Sequence, residues 1–148
     1  MSQSGHDLRP ISAQHLDELV AKLDPKTIEI TQRAGTEPAH CGTFLDNERN
    51  GTYACVVCGL PLFASEHKFK SRSGWPSFFS PYDIQHVARI EDSSHGMLRT
   101  EIACARCDSH LGHVFSDGPA PTGERHCLNS ASLTFIEEGQ PVPEASQP

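Results

Sequence analysis

Two Cys-x-x-Cys pairs constrain the fold of this chain more than any other feature of its sequence. The first pair is Cys55 and Cys58, and the second is Cys104 and Cys107. Four thiolates in two such pairs can hold one tetrahedral zinc ion. The 45 residues between the pairs, 59–103, exceed the usual spacing of a single zinc ribbon. We therefore predict that two separate hairpins meet at a Zn²⁺ site, with one ion per chain.

Four thiolates leave no coordination position for water, so the predicted zinc is structural and not a Lewis-acid catalyst. Two alternatives remain open for these cysteines. In one, a single pair is a redox dithiol and the other pair is merely buried. In the other, His110 is a ligand because it follows Cys107 at knuckle spacing, although four thiols already complete the site. A non-enzymatic zinc module would need a basic or aromatic recognition face, which the acidic composition does not favour.

Length and charge narrow the classes of protein further. The 148 residues match the size of a single domain. The net charge of -7 opposes binding to phosphate backbones and anionic membranes. Because the chain shows neither a membrane-length apolar run nor a secretory signal, we expect a cytoplasmic monomer without nucleic-acid or membrane partners. Six cysteines in a reducing compartment favour metal or redox chemistry over structural disulfides.

Periodicity predicts two N-terminal helices. The first starts after Ser12 and repeats Leu and Val at helical spacing. The second opens at Asp24-Pro25, an N-cap followed by proline, and ends before Gly35. Ile28 and Ile30 also alternate as they would in a strand, so this segment has two interpretations.

After these helices, short apolar runs separated by turn residues predict a mainly β fold. The predicted strands are 53–57, 60–63, 87–90, 97–104, 113–115 and 125–136. We expect a helical segment at 1–34 packed on the domain, a β domain at 35–138 and a flexible tail at 139–148.

Two cysteines, Cys41 and Cys127, are left when the four metal candidates are set aside. Strand alternation places Arg125, Cys127 and Asn129 on one face. A neighbouring guanidinium stabilises the thiolate, which is the nucleophilic form of cysteine. An isolated strand cysteine is by default buried and inert. The polar face therefore favours a nucleophilic Cys127 and leaves the inert alternative open.

Several segments resemble the methionine-R-sulfoxide reductases. They are 73–78 (SGWPSF), 94–97 (SHGM), 112–119 (GHVFSDGP) and 123–130 (GERHCLNS). The resemblance extends from about residue 35 to residue 137, and both Cys pairs belong to the zinc-bearing form of that family. It implies two small antiparallel sheets with N-terminal helices packed against them. It also implies reduction of methionine-R-sulfoxide in proteins and peptides by the catalytic domain at 35–138.

The resemblance implies a reaction at Cys127. A thiolate that attacks the sulfoxide sulfur becomes a sulfenic acid, and the departing oxygen must gain a proton. His113 is the expected proton donor, with His110 orienting it or sharing its role. Taken alone, this His-x-x-His pair would more often be structural or part of a metal site.

The resemblance also implies three substrate-binding residues. The indole of Trp75 is expected to line the pocket that receives the substrate methyl group. Arg125 and Asn129 are expected to hold and polarise the thiolate and the sulfoxide oxygen. Without the resemblance, the tryptophan would be a core residue of a tight turn, and the other two would form a solvated strand face.

Regeneration of the thiol is where this chain departs from many relatives. They carry a recycling cysteine two residues before the tryptophan, whereas this chain has Ser73, whose hydroxyl cannot resolve a sulfenic acid. We hypothesise that Cys41 forms a disulfide with Cys127 instead. The alternative is direct reduction of the sulfenic acid by an external thiol. The resemblance points to thioredoxin as the reductant.

Overall fold

A computed structural model describes residues 2–3, 5, 8–33, 35–36, 44–71, 73–93 and 99–140 of the chain. Within these ranges, two short helices precede nine β-strands arranged in two antiparallel sheets. The mainly β fold with N-terminal helices is therefore confirmed. Cys41, Met97 and residues 141–148 of the expected tail lie outside the described residues.

Polar side chains cap both helices at their first turns. The helices are α1 (Ala13–Val20) and α2 (Pro25–Gln32). The Ser12 hydroxyl accepts a hydrogen bond from the amide of His15 at 3.2 Å. The Asp24 carboxylate accepts one from the amide of Thr27 at 2.8 Å, and proline occupies the start of this helix. The helical interpretation of this segment is confirmed, and the strand interpretation is wrong.

The strands are short and connect mainly as hairpins. They are β1 (Gly51–Cys55), β2 (Pro61–Ala64), β3 (Lys68–Phe69), β4 (Ser77–Phe78), β5 (Val87–Asp92), β6 (Arg99–Cys104), β7 (His110–Phe115), β8 (Arg125–Leu128) and β9 (Leu133–Glu137). The smaller sheet has the order β2-β1-β9, and the larger sheet has the order β3-β4-β8-β7-β6-β5. Neighbouring strands are antiparallel in both sheets.

One predicted strand, 125–136, is two strands in the structure. β8 ends at Leu128, and a single 3-10 turn over Ser130–Ser132 leads into β9, which pairs with β1 in the other sheet. The Ser132 hydroxyl donates to the His110 carbonyl at 2.9 Å and satisfies a buried group within this turn. No glycine or proline interrupts 125–136, so the apolar pattern alone could not locate the break.

One hydrophobic core joins the two sheets. Tyr53 and Phe63 from the smaller sheet contact Phe78 of the larger sheet, with ring centroids 5.1 and 4.7 Å apart. Leu16 and Leu19 of α1 pack against the same core. Neither helix in the described part of the chain has the length and apolar character that crossing a membrane requires. The shared core fixes the larger sheet, on which the candidate active site lies, relative to the smaller one.

Candidate active site and metal site

The two Cys-x-x-Cys pairs meet at one buried site. Cys55 and Cys58 lie in the β1–β2 hairpin, and Cys104 and Cys107 lie in the β6–β7 hairpin. The four Sγ atoms all lie within 4.8 Å of one another. The Cys55–Cys107 and Cys58–Cys104 sulfur distances are both 3.6 Å. Sulfurs around a tetrahedral zinc ion lie about 3.8 Å apart, so the residues present fit a metal ion and the predicted meeting of two hairpins is confirmed.

The two turns that carry the second cysteine of each pair share one backbone hydrogen bond and a residue with a positive φ angle. The Cys55 carbonyl accepts from the amide of Gly59 at 2.8 Å, and the Cys104 carbonyl accepts from the amide of Asp108 at 2.9 Å. Gly59 and Asp108 both have positive φ angles, 80° and 62°. These left-handed residues close the turns so that the thiols of each pair face the same point.

A buried arginine connects the two turns. The Arg106 guanidinium donates a hydrogen bond to the Cys58 carbonyl at 2.5 Å. Hydrogen bonds from neighbouring thiols, led by that of Cys104, lower the pKa of Cys58, and the charge of Arg106 acts in the same direction.

His110, the alternative ligand, instead pairs its Nδ1 with the carboxylate of Glu101 at 2.8 Å.

A second site is built on the larger sheet around Cys127. This residue on β8 lies directly across from His113 on β7 and from Ser77 on β4. Directly opposed residues in antiparallel strands present their side chains to the same face of the sheet. At Gly112 a Cβ atom would collide with the carbonyl oxygen of Cys127, so only glycine permits this close approach of β7 to β8.

A pocket of about 210 Å³ opens beside Cys127. Predicted site residues form much of its wall, namely Trp75, His113, Arg125, Cys127 and Asn129. Arg125 and Cys127 are partly exposed whereas His126 and Leu128 are buried, which confirms the predicted alternation along β8. His110 is buried behind His113, and the centroids of the two rings are 5.6 Å apart. Cys41 lies outside the described residues.

Each of the two histidines is bound to a carboxylate that the sequence did not single out. His113 Nε2 lies 2.9 Å from Asp92, and His110 Nδ1 lies 2.8 Å from Glu101. Arg99 also bonds to Asp92, at 3.4 Å. Burial lowers the pKa of His113, and its hydrogen bond to Asp92 opposes that shift. Because the pKa of His113 is lowered overall, its imidazole is neutral at neutral pH and can accept a proton.

The guanidinium of Arg125 is held at the pocket wall by two neighbours. It donates to the carboxylate of Asp117 at 3.0 and 3.3 Å and lies over the ring of Phe115, 4.4 Å from its centroid. The contact with Arg125 lowers the pKa of Asp117. Because a carboxylate neutralises part of its charge, Arg125 exerts a weaker pull on the Cys127 thiolate than the sequence alone suggests.

Three serine hydroxyls form a connected group on the other side of the thiol. Ser73 Oγ lies 3.9 Å from Cys127 Sγ. Ser71 Oγ lies 2.8 Å from Ser73 Oγ and 2.7 Å from Ser77 Oγ. Gly74 has a φ of 89°, which lets the chain turn sharply between Ser73 and Ser77. From the sequence, Ser73 is recognisable only as the residue that replaces a cysteine of many relatives, because no local pattern shows which side chain a turn hydroxyl contacts.

Known proteins that are similar to this chain are named peptide methionine sulfoxide reductases. The family described as SelR domain matches residues 23–137. A peptide methionine sulfoxide reductase MsrB of Xylella fastidiosa (strain M23) is 55% identical over 138 residues, 93% of this chain and 89% of the relative. The MsrB of Caulobacter vibrioides (strain NA1000 / CB15N) is 47% identical over 144 residues, 97% of this chain and 91% of the relative. The family match spans the four-cysteine site and the whole lining of the pocket.

Proposed function

This chain belongs to the SelR domain family and is a methionine sulfoxide reductase, and we propose that it reduces the R epimer in proteins and peptides through the thiol of Cys127. The observation that carries the proposal is the cross-strand row on which Cys127 lies between His113 and Ser77 at a pocket. The pocket of about 210 Å³ has room for one methionine sulfoxide side chain, and we expect the rest of a peptide to stay outside it.

In the reductive step, the Cys127 thiolate attacks the sulfoxide sulfur and takes its oxygen. The S–O bond of the substrate breaks, methionine leaves as the thioether, and the cysteine becomes a sulfenic acid. Neutral His113 accepts the thiol proton and passes it to the oxygen, so the step needs no net proton from solvent. Trp75 and Phe115 supply apolar walls for the methyl group. Arg125 and Asn129 are polar groups positioned for the sulfoxide oxygen.

The stereochemical proposal is tested with each separated epimer of methionine sulfoxide and dithiothreitol as reductant. We expect methionine from the R epimer and none above background from the S epimer, measured by chromatography of the free amino acid. Equal yields from both epimers, or reduction of the S epimer alone, would contradict the proposal. A peptide carrying one oxidised methionine, tested alongside, gives the preference between bound and free substrate.

Replacing His113 by alanine is expected to slow the reductive step about 100-fold or more. The slowdown should increase with pH. Below the lowered pKa of His113 the imidazole is already protonated and cannot take the thiol proton, and hydronium can protonate the oxygen in both proteins. Above that pKa, while the Cys127 thiol still carries its proton, hydronium is scarce, so only the wild type transfers the thiol proton to the oxygen efficiently. The measurement is the ratio of the wild-type to the His113→Ala single-turnover rate across pH. A ratio that is constant with pH would assign the proton transfer to His110.

We further propose that Cys41 resolves the sulfenic acid. Its thiol attacks the sulfur of Cys127, water leaves, and a disulfide forms. Both flanks of its segment lie beside the site, since Thr36 lines the pocket and the Phe44 amide donates to Ser130 Oγ at 3.1 Å. Cys41 is three residues from Phe44, a reach of at most about 11 Å in extended chain. A disulfide needs Cα atoms within about 7 Å, so the proposal requires Cys41 to approach Cys127 this closely.

Replacing Cys41 by serine should preserve a single turnover and abolish recycling by thioredoxin, the reductant we propose. Thioredoxin, a protein reductant, is expected to act by exchange with a disulfide, which the variant cannot form. Peptide mapping after one turnover without reductant should find a Cys41–Cys127 disulfide in the wild type. The dithiothreitol-supported activity of the variant is the control for its fold. Full thioredoxin-supported cycling by the variant would show that the sulfenic acid is reduced directly.

The metal that we propose for the four-cysteine site is Zn²⁺. Soft thiolates at tetrahedral spacing select zinc or iron–sulfur chemistry, and a closed set of four thiolates is typical of structural zinc. When bound, the ion would link Cys55, Cys58, Cys104 and Cys107 and so join the β1–β2 hairpin to the β6–β7 hairpin. The reaction itself is carried by the residues of the pocket.

A further inference from the structure

We propose that Ser73 is a catalytic residue that donates a hydrogen bond to the Cys127 thiolate, with Ser71 and Ser77 orienting its hydroxyl. The inference rests on the proposed role of Cys127 as nucleophile. Ser73 Oγ lies 3.9 Å from Cys127 Sγ, a distance compatible with a hydrogen bond to the large sulfur atom. Hydrogen bonding to the charged form of a group favours that form, so this contact increases the fraction of reactive thiolate.

The hydroxyl oxygen of Ser73 is held in place by its own turn. It accepts a hydrogen bond from the amide of Trp75 at 3.3 Å, and the Ser73 amide donates to Ser71 Oγ at 3.2 Å. Ser71 Oγ lies 2.8 Å from the same oxygen and can donate to it. A hydroxyl that accepts two hydrogen bonds is polarised and becomes a stronger donor. Its proton is therefore the part of the group that remains free to rotate.

Rotation of that proton toward Cys127 changes which hydroxyl donates to each acceptor of the turn. With a protonated thiol, the Ser73 hydroxyl can donate to the Trp75 carbonyl at 3.2 Å. Ser77 Oγ donates to the same carbonyl at 3.1 Å. When Ser73 turns to the thiolate, Ser77 can keep the carbonyl hydrogen-bonded, or it can donate to Ser71 Oγ at 2.7 Å and support the donation from Ser71 to Ser73.

The serine group and the proton-transfer residue lie on opposite sides of the nucleophile. β4, which carries Ser77, and β7, which carries His113, are the two neighbours of β8. The two arginines that line the pocket, Arg99 and Arg125, are paired with Asp92 and Asp117. A neutral donor on the β4 side can therefore stabilise the thiolate while His113 faces the oxygen that leaves the substrate.

The proposal is tested by the pH dependence of alkylation at Cys127. Iodoacetamide is allowed to react with wild type and with Ser73→Ala over a range of pH, and the Cys127 peptide is quantified by mass spectrometry. We expect the alkylation midpoint of Ser73→Ala to rise by about one pH unit. The single-turnover rate should fall about tenfold at neutral pH and return toward that of wild type at alkaline pH, where the thiol ionises unaided.

Matched variants separate this role from simple support of the turn. Ser73→Thr keeps the hydroxyl and should keep the wild-type midpoint, whereas Ser73→Val has nearly the same shape without it and should behave as Ser73→Ala. Ser80→Ala removes a hydroxyl that bonds the Pro81 carbonyl outside this group and should change neither readout. The Thr and Val pair keeps the test valid if the alanine variant is poorly folded.

Two outcomes would overturn the proposal. One is an unchanged alkylation midpoint in folded Ser73→Ala and Ser73→Val. The other is a loss of single-turnover rate of equal size at every pH, which would mean that Ser73 only holds Trp75 in place. Failure of the proposed function has a different signature, namely sulfoxide reduction that persists after Cys127 has been fully alkylated in the wild type.

Discussion

Cys127→Ser is expected to abolish sulfoxide reduction, with a loss of at least about 10⁴-fold. A serine hydroxyl is un-ionised at neutral pH and is a far weaker nucleophile than a thiolate. It also cannot accept the sulfoxide oxygen, which a cysteine takes up when it becomes a sulfenic acid. Cys127 is partly exposed at the pocket and is separate from the four-cysteine site, so the fold and the metal content should be unchanged. Methionine release with dithiothreitol, circular dichroism and metal analysis together measure these effects.

Cys41→Ser is the matched control for that experiment, since it makes the same substitution at the other cysteine outside the metal site. It should remain active with dithiothreitol, because this small thiol can reduce a sulfenic acid directly. Retention of substantial turnover by Cys127→Ser, with an inactive Cys41→Ser, would transfer the nucleophilic role to Cys41.

Replacing Cys104 by serine is expected to remove the metal and unfold much of the chain. Structural zinc contributes an apparent binding free energy of about 10–16 kcal/mol in small domains, whereas domains are stable by only about 5–15 kcal/mol in total. The four-cysteine site also joins hairpins from both sheets. Loss of one ligand therefore removes a cross-link that holds the two sheets together. Activity should fall as a consequence of unfolding.

Metal analysis and thermal unfolding measure the effect of Cys104→Ser, and Cys127→Ser serves as a matched control that should keep both metal and stability. Removal of the metal from the wild type by a chelator should lower activity in parallel with the loss of native circular dichroism. A metal-free protein that stays folded and fully active would refute the structural role of the site. Activity lost without any loss of fold would instead indicate a role for the metal in the reaction.

The metal site was predictable because its signal is local. Each turn carries its own Cys-x-x-Cys pair, and Gly59 marks the tight turn of the first. Only the meeting of the two hairpins depends on the rest of the fold. The strand prediction at 125–136 failed for the converse reason, since the turn at Ser130–Ser132 is stabilised by a contact with the His110 carbonyl, which is remote in sequence.

The residues that surround the candidate nucleophile were predictable only in part. Alternation along β8 placed Arg125 and Cys127 on one face, because strand geometry requires it. The carboxylates of Asp92 and Glu101 could not be predicted, since each reaches its histidine across neighbouring strands of the sheet. A carboxylate on a strand ordinarily indicates a solvated face. The contact of Ser73 with Cys127 spans 54 positions and has no local pattern either.

The most direct test of the account is the chemical state of Cys127 after one turnover. Cys41→Ser is mixed with methionine-R-sulfoxide in the absence of reductant, and the sulfenic acid is then captured with dimedone. We predict one methionine released per chain and a dimedone adduct on the Cys127 peptide, with neither product from the S epimer. Methionine release in the same amount with the Cys127 thiol still free and unlabelled would contradict the account.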